Sequence, residues 1–195
     1  MAGQLLTDNL DDFYLTISAS KTGVAKGDAT VAMSLADVST GGTITGMTGN
    51  GVSTIVVTCV GHGLVTSDLV CLMNVVGNKA ANGPHIVTKL TNDTFSLDGT
   101  TGDGAWIDTT DADYEQDRPR FYKTVAGLHD EALDVYDSGA GEYRLPIERS
   151  INLIIGRDYI AYVEAAYPAE DWVDVRQISI RGAAPRQCPE RRNRN

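Results

Sequence analysis

Two cysteines and a histidine lie close together in residues 56–77, VVTCVGHGLVTSDLVCLMNVVG. Cys59, His62 and Cys71 are residue types that could form a thiol nucleophile with its base, or half of a metal site. Both cysteines lie in apolar runs, and their twelve-residue spacing fits neither a C-x₂-C zinc site nor a redox pair. A zinc cluster of all three with His85 matches no standard spacing. The sequence therefore predicts that both thiols are buried packing residues, with no metal site and no catalytic residue.

Other motifs give no better candidate for catalysis. No G-x-S-x-G nucleophile motif occurs, and Gly49-x-Gly51 and Gly139-x-Gly141 lack the strand–loop–helix setting of a phosphate loop. Carboxylates that could cleave a glycoside are numerous, but they lie mostly in predicted loops of a small chain. We therefore expect that the chain is not an enzyme and needs no cofactor.

Acidic residues are concentrated between residues 98 and 117, where seven occur without a lysine or arginine. Carboxylates this close in sequence suit Ca²⁺, but the EF-hand pattern of central glycine and distal glutamate is absent. The pattern favours a solvated acidic loop over a calcium site. The best candidate ligands in this run are Asp108, Asp111, Asp113, Glu115 and Asp117.

Charge is unevenly distributed over the 195 residues, whose formal net charge is −10. The last fifteen residues carry +4 and the preceding 180 carry −14, which argues against a nucleic-acid-binding face on the body. Residues 183–195 contain two prolines and show no periodicity, which predicts an extended basic tail. We expect the tail to dock onto an acidic neighbour, such as another copy, rather than onto packaged DNA. The candidate docking residues are Arg186, Arg191, Arg192 and Arg194.

Hydropathy and cysteine usage bound the class of protein. A hydrophobic content of 42% with 22% charged residues is typical of a folded domain. No apolar run approaches the ~20 residues of a membrane span, and the N-terminal residues lack a signal-peptide pattern. Three cysteines make no disulfide framework, so we expect a reducing compartment and no membrane partner.

Short apolar stretches separated by Gly, Asn, Asp and Ser–Thr clusters predict an all-β fold. Residues 29–37 alternate as a half-buried strand does, and residues 53–60 and 67–76 are apolar on both faces. Residues 85–99 predict a hairpin that turns at Asn92-Asp93, with Ile86, Thr88 and Leu90 facing Thr94, Phe95 and Leu97. Only residues 120–133 have a helix-like pattern, although Gly127 weakens it.

The distribution of these strands predicts two units. A β-sandwich is expected from residues 1–40 and 112–182, with a second, small barrel-like β-module inserted as residues 41–111. The basic tail, residues 183–195, follows the sandwich. Because chain ends that lie close together tolerate insertion at a loop tip, such a discontinuous arrangement is physically reasonable.

The inserted unit contains a series of spaced elements: Ile44-Thr45-Gly46, Thr58, His62-Gly63-Leu64, Asp68, Val70, Gly77, Asn82-Gly83, Val87, Thr94-Phe95-x-Leu97-x-Gly99 and Ala105-Trp106. Through these elements it resembles a small β-module of many tailed-phage virion proteins, often labelled as the first catalytic-cysteine half-domain of ubiquitin-activating enzyme. It departs from that family at Ser67, where the family prefers glycine. The flanking sequence contains G-E-Y-x-L-x-I and G-x-D-Y-x-A-Y-V-E-A, through which it is similar to immunoglobulin-like domains of phage neck, baseplate and fibre-anchoring proteins.

This resemblance implies an immunoglobulin-like sandwich and a structural protein of the virion, assembled in the host cytoplasm. Its expected partners are other virion proteins (portal, neck, tail or capsid), and a symmetric homo-oligomer is expected because many weak contacts then act together. No catalytic residue is implied, since this half-domain does not supply the nucleophilic cysteine in the enzyme family.

Two other functions are open at this point. The chain could be a receptor- or carbohydrate-binding module of a phage fibre or baseplate, with exposed aromatic residues as stacking platforms. It could also be an enzyme, either a glycan hydrolase or one that depends on a cysteine. The aromatic candidates for stacking are Trp106, Tyr114, Tyr122 and Trp172.

Overall fold

The computed structural model describes residues 3–6, 11–16, 27–51, 53–110, 117–147, 151, 153–167 and 172–183. This part of the chain is all β, apart from two single-turn 3₁₀ helices, Val38–Thr40 and Lys79–Ala81. No helix in the described ranges is long and apolar enough to cross a membrane. The strands are β1 (Gly3–Leu6), β2 (Asp11–Thr16), β3 (Thr30–Asp37), β4 (Gly42–Thr43), β5 (Gly46–Thr48), β6 (Val56–Thr58), β7 (Leu69–Met73), β8 (Gly83–Lys89), β9 (Thr94–Leu97), β10 (Arg120–Lys123), β11 (Glu131–Ala132), β12 (Asp134–Asp137), β13 (Glu142–Ile147), β14 (Asp158–Tyr167) and β15 (Trp172–Ala183).

The strands form three sheets. A five-stranded sheet has the order β1-β15-β14-β3-β11, and a three-stranded sheet has the order β12-β13-β2. The curled sheet of the module has seven strands in the order β4-β10-β7-β8-β9-β6-β5. The predicted all-β sandwich with a barrel-like module is therefore confirmed.

The sandwich core lies between the five-stranded and the three-stranded sheets. Alternate residues of β3, β13 and β14 point into it because successive strand side chains face opposite sides. The hydroxyl of the buried Tyr143 accepts a hydrogen bond from the Ala29 N–H at 2.9 Å. The principal core residues are Val31, Met33, Leu35, Tyr143, Leu145, Ile147, Tyr159, Ala161, Val163, Ala165 and Tyr167.

The curled sheet of the module extends past residue 111. Strand β10 pairs antiparallel with β7, in the register Phe121↔Leu72, and with β4. The helix expected over residues 120–133 is therefore wrong: β10 is a strand there, followed by a turn at Gly127 (φ +79°) and the short strand β11. The strand forms because Phe121 fills the module core and Tyr122 faces the sandwich, which an amphipathic helix could not do here. The division of the chain into two units stays a prediction.

The module and the sandwich meet at a third cluster of buried side chains, which we call the junction. Strand β7 explains its composition, because Val70 and Leu72 point into the module core while Cys71 and Met73 point to the sandwich. This is why residues 67–76 are apolar on both faces. The junction residues are Ala36, Cys71, Met73, Tyr122 and Tyr162, with Ile160 against them.

The β8–β9 hairpin is confirmed, but its buried face was predicted wrongly on β8. Lys89 pairs with Phe95 and Val87 pairs with Leu97. Val87, Phe95 and Leu97 are buried in the module, whereas Ile86 and Leu90 are exposed. On β8, Pro84, Ile86 and Thr88 lie on one face and His85, Val87 and Lys89 on the other. The first set is the more apolar, yet the second set faces the core.

Candidate functional site

One end of the module is formed by residues 59–66 and 90–93, which we call the module tip. Gly61 and Gly63 both have positive φ angles, +63° and +65°, which glycine adopts without steric cost. They reverse the chain on either side of His62, as expected from the His62-Gly63-Leu64 element. The reversal brings the loop against the β8–β9 turn, where the Cys59 N–H donates to the Asp93 carbonyl at 2.8 Å.

His62 holds the module tip together. Its Nδ1 accepts a hydrogen bond from the Leu64 N–H at 2.9 Å, so the proton lies on Nε2, which contacts the Thr91 carbonyl at 3.2 Å. The buried ring also meets Phe95 edge to face, with centroids 5.1 Å apart. Both ring nitrogens are thus used in holding two loops, which makes His62 a structural residue. Asp93 adds a bond, accepting from the Gly61 N–H at 2.8 Å.

Three large apolar side chains of the module tip are exposed. Val60 is 76% exposed, Val65 60% and Leu90 50%. The segments that carry them are connected by the bonds just described and by the Lys89 N–H, which donates to the Thr66 hydroxyl at 3.1 Å. A side chain on a loop that is held by hydrogen bonds loses little conformational entropy when a partner binds it.

Cys59 and Cys71 are both free and buried, which confirms the predicted packing role. Burial raises the pKa of the Cys59 thiol, with a further contribution from the Asp93 carboxylate. Burial alone raises the pKa of Cys71 far above its usual range. Both thiols are therefore protonated at neutral pH, and neither is available as a thiolate nucleophile.

The structure separates the four residues considered as a zinc cluster, which are Cys59, His62, Cys71 and His85. Cys59 belongs to the module core, Cys71 to the junction, and His62 to the module tip. His85 contacts the Ala81 carbonyl through Nε2 at 3.0 Å. Within the described ranges, no group of three or more His, Cys, Asp or Glu residues could hold a metal ion.

Ser67 has a backbone conformation that glycine adopts more readily than serine does. Its φ is +73°, in the left-handed region that glycine favours, and its N–H donates to the Val87 carbonyl at 2.8 Å. The next residue, Asp68, accepts hydrogen bonds from the Val65 N–H and from the Lys123 ammonium, both at 2.8 Å. Burial raises the pKa of Asp68, but these two bonds outweigh it, so the net pKa is lowered.

Two asparagines after β7 form side-chain hydrogen bonds to the backbone of neighbouring loops, which were not predicted from the sequence. Asn78 is buried: its amide donates to the Gly49 carbonyl at 3.3 Å and accepts from the Asp103 N–H at 3.1 Å. Asn82 holds Val75 on both sides, accepting from its N–H at 2.8 Å and donating to its carbonyl at 2.9 Å. The available sequence signal was the N-x₃-N spacing beside Gly77.

A groove runs between the outer face of the five-stranded sheet and the module, and we call it the junction groove. It consists of three adjoining clefts of about 310, 500 and 500 Å³. Gln177 and Asn74 are bonded to each other across it at 3.2 Å. Its lining includes hydroxyl residues and the following amide, imidazole and charged residues: Asn74, Lys79, Asn82, His85, Asp117, Asp130, Glu164 and Gln177.

The remaining predicted site residues are only partly within the described ranges. Tyr122 is buried in the junction and Trp106 packs partly buried against the module core, so neither is an exposed stacking platform. Asp108 and Asp117 are described, and hydrogen bonds from the Thr110 N–H and hydroxyl lower the pKa of Asp108. Lying outside the described residues are Asp111, Asp113, Tyr114, Glu115, Arg186, Arg191, Arg192 and Arg194, together with the Trp172 side chain.

Comparisons of the chain with protein-family models, with curated proteins and with solved structures found no match.

Proposed function

We propose that this chain is a structural protein of a tailed-phage particle, located at the head, neck, tail or baseplate and assembled in the host cytoplasm. In this proposal the sandwich anchors the chain to the particle and the module tip contacts another virion protein. The proposal assigns no catalytic activity and no cofactor to the chain.

The observation that carries this proposal is the exposure of Val60, Val65 and Leu90 on loops fixed by hydrogen bonds. Exposed apolar side chains on loops that are bonded to each other offer a candidate contact surface for a partner protein. The resemblance of the module sequence to virion modules supplies the class of partner. The junction adds support, because a module packed rigidly on its carrier presents its tip in one orientation.

The proposal is tested on particles of the phage that encodes the chain. Mass spectrometry of purified particles should detect the chain, and its absence from them would overturn the proposal. The double variant Val60→Asp, Val65→Asp should lower its incorporation severalfold, because two carboxylates would be buried in the contact. The matched control is the double variant Ile86→Asp, Ile107→Asp, which places two charges on exposed apolar residues of the module outside its tip. Equal incorporation of both variants would contradict the role of the module tip.

The alternative function is a receptor- or carbohydrate-binding module of a fibre or baseplate. The junction groove favours it, because amide and charged groups such as Asn74, Lys79 and Glu164 can hydrogen-bond sugar hydroxyls. Binding of the isolated chain to a glycan array, abolished by Lys79→Ala, would support this alternative. Binding only to another virion protein would support the assembly role.

A further inference from the structure

Strand β15 has an edge that is only partly occupied. On one side it pairs with β14 in one unbroken register from Tyr167↔Trp172 to Asp158↔Arg181. On the other side β1 pairs with it in parallel, only from Ile180 to Ala183. Residues 172–179 of β15 therefore have no partner on that side among the described strands. An edge of this length exposes a row of backbone N–H and C=O groups that can accept another strand.

The other described sheet edges are shorter or interrupted. The edge strands β4, β5 and β11 have only two or three residues. Strand β12 has a register shift between Val135 and Asp137, and β2 begins with two aspartates. Bulges and charged residues are known protections of sheet edges, and short strands give a partner little to bind. Among the described edges, β1 has four residues, and the β15 edge is the longest one without a register shift. Its outward face carries exposed valines.

We propose that this edge binds a second copy of the chain, β15 to β15 in antiparallel orientation, with the two-fold axis at Val175. The proposal goes beyond the assembly role and does not depend on it. In an antiparallel pair, two residues directly opposite each other have their side chains on the same face of the sheet. When β15 pairs with a second β15 around a two-fold axis, one residue must therefore lie directly opposite its own copy, on the axis. An axis at Asp174 would oppose two aspartates, and one at Arg176 would oppose two arginines. An axis at Val175 instead places Asp174 of one copy opposite Arg176 of the other.

The apolar residues and the length of the edge agree with this register. Val173 is 58% exposed and Val175 46%, and both lie on the outward face of β15. On the axis, Val175 lies opposite Val175 of the second copy. Two residues away from the axis, Val173 lies opposite Gln177 of the second copy. The paired segment extends from Trp172 to Ile178, and these two residues lie opposite each other. It therefore ends just before Ile180, the first residue of β15 that pairs with β1. The second copy thus fills the gap that β1 leaves.

Site-directed cross-linking tests the register. In a Cys188→Ser background, Val175→Cys should form a disulfide-linked dimer on mild oxidation, because the two Cβ atoms face each other across the axis. The matched variant Val173→Cys should not, because its two copies lie four residues apart along the paired strands, about 13 Å. Val173→Cys combined with Gln177→Cys should restore the cross-link. Equal cross-linking of both single variants would overturn the register.

Light scattering after size-exclusion chromatography tests the dimer itself. The wild-type chain should be dimeric, and Val175→Lys should weaken the dimer about tenfold or more, because two ammonium groups then meet on the axis. Ile155→Lys, a substitution at an exposed residue outside β15, should leave it dimeric. A monomeric wild-type chain, or a Val175→Lys variant as dimeric as wild type, would overturn the proposal. Because these measurements use purified protein, their outcome is separate from detection of the chain in particles.

Discussion

Replacing Ser67 by glycine should stabilise the protein. Ser67 has a φ of +73° and an exposed side chain, and the left-handed region costs a non-glycine residue about 1–2 kcal/mol. Glycine avoids this cost but loses about 0.5–1 kcal/mol more backbone entropy on folding. The expected net gain is about 0.5–1 kcal/mol, or a rise of about 2 °C in Tm for a chain of this size.

The matched control is the same chemical change in a strand. Ser96 lies in β9, where glycine brings the entropy cost without relieving strain, so Ser96→Gly should lose about 0.5–1 kcal/mol. Urea denaturation followed by circular dichroism gives both values on one scale. Opposite signs for the two variants are the essential result. A Ser67→Gly variant as destabilised as Ser96→Gly would refute the argument that the turn requires positive φ.

Three further outcomes are expected from packing, sterics and titration. Met73→Ala removes three heavy atoms from the junction and should cost about 3 kcal/mol in urea denaturation, whereas Val60→Ala at the exposed module tip should change stability by less than about 0.5. Gly77→Ala should be the more damaging of two positive-φ substitutions, because its Cβ would overlap the Ala105 carbonyl oxygen while that of Gly63→Ala meets nothing within 4 Å. Burial lowers the pKa of His85 below its ordinary 6.5, so the unfolded chain takes up the proton first and Tm should fall as pH drops below about 6.5. His85→Gln should weaken that dependence and leave the part that comes from His129, whose pKa burial also lowers.

Much of the fold was predictable because strand alternation is a local signal. The core faces of β3 and β14 follow directly from it, as Val31 and Tyr159 show. The signal failed on β8, where Ile86 and Leu90 suggested one face and burial selected the face of Val87. It also failed over residues 120–133, because a two-faced strand such as β10 has no period-two pattern to distinguish it from a short helix.

The candidate site was predictable to a lesser degree. The role of His62 in a glycine turn was visible in the sequence, since Gly61 and Gly63 flank it. The exposure of Val60 and Leu90 was not, because apolar residues in a β-rich stretch are expected to be buried. The edge of β15 depends on how far β1 reaches along it, which is a property of long-range pairing rather than of local sequence.

Strand β7 determines how the module and the sandwich pack against each other. A module attached only by its two linking segments would need one apolar face on β7, yet Cys71 and Met73 are as buried as Val70 and Leu72. The second face exists because β3 and β14 present the small residue Ala36 and the ring of Tyr162 to it. Removing the sandwich would therefore expose this face, so the module should not be studied as an isolated fragment. The cysteine that first suggested chemistry contributes instead to holding the module tip at a fixed orientation to the five-stranded sheet.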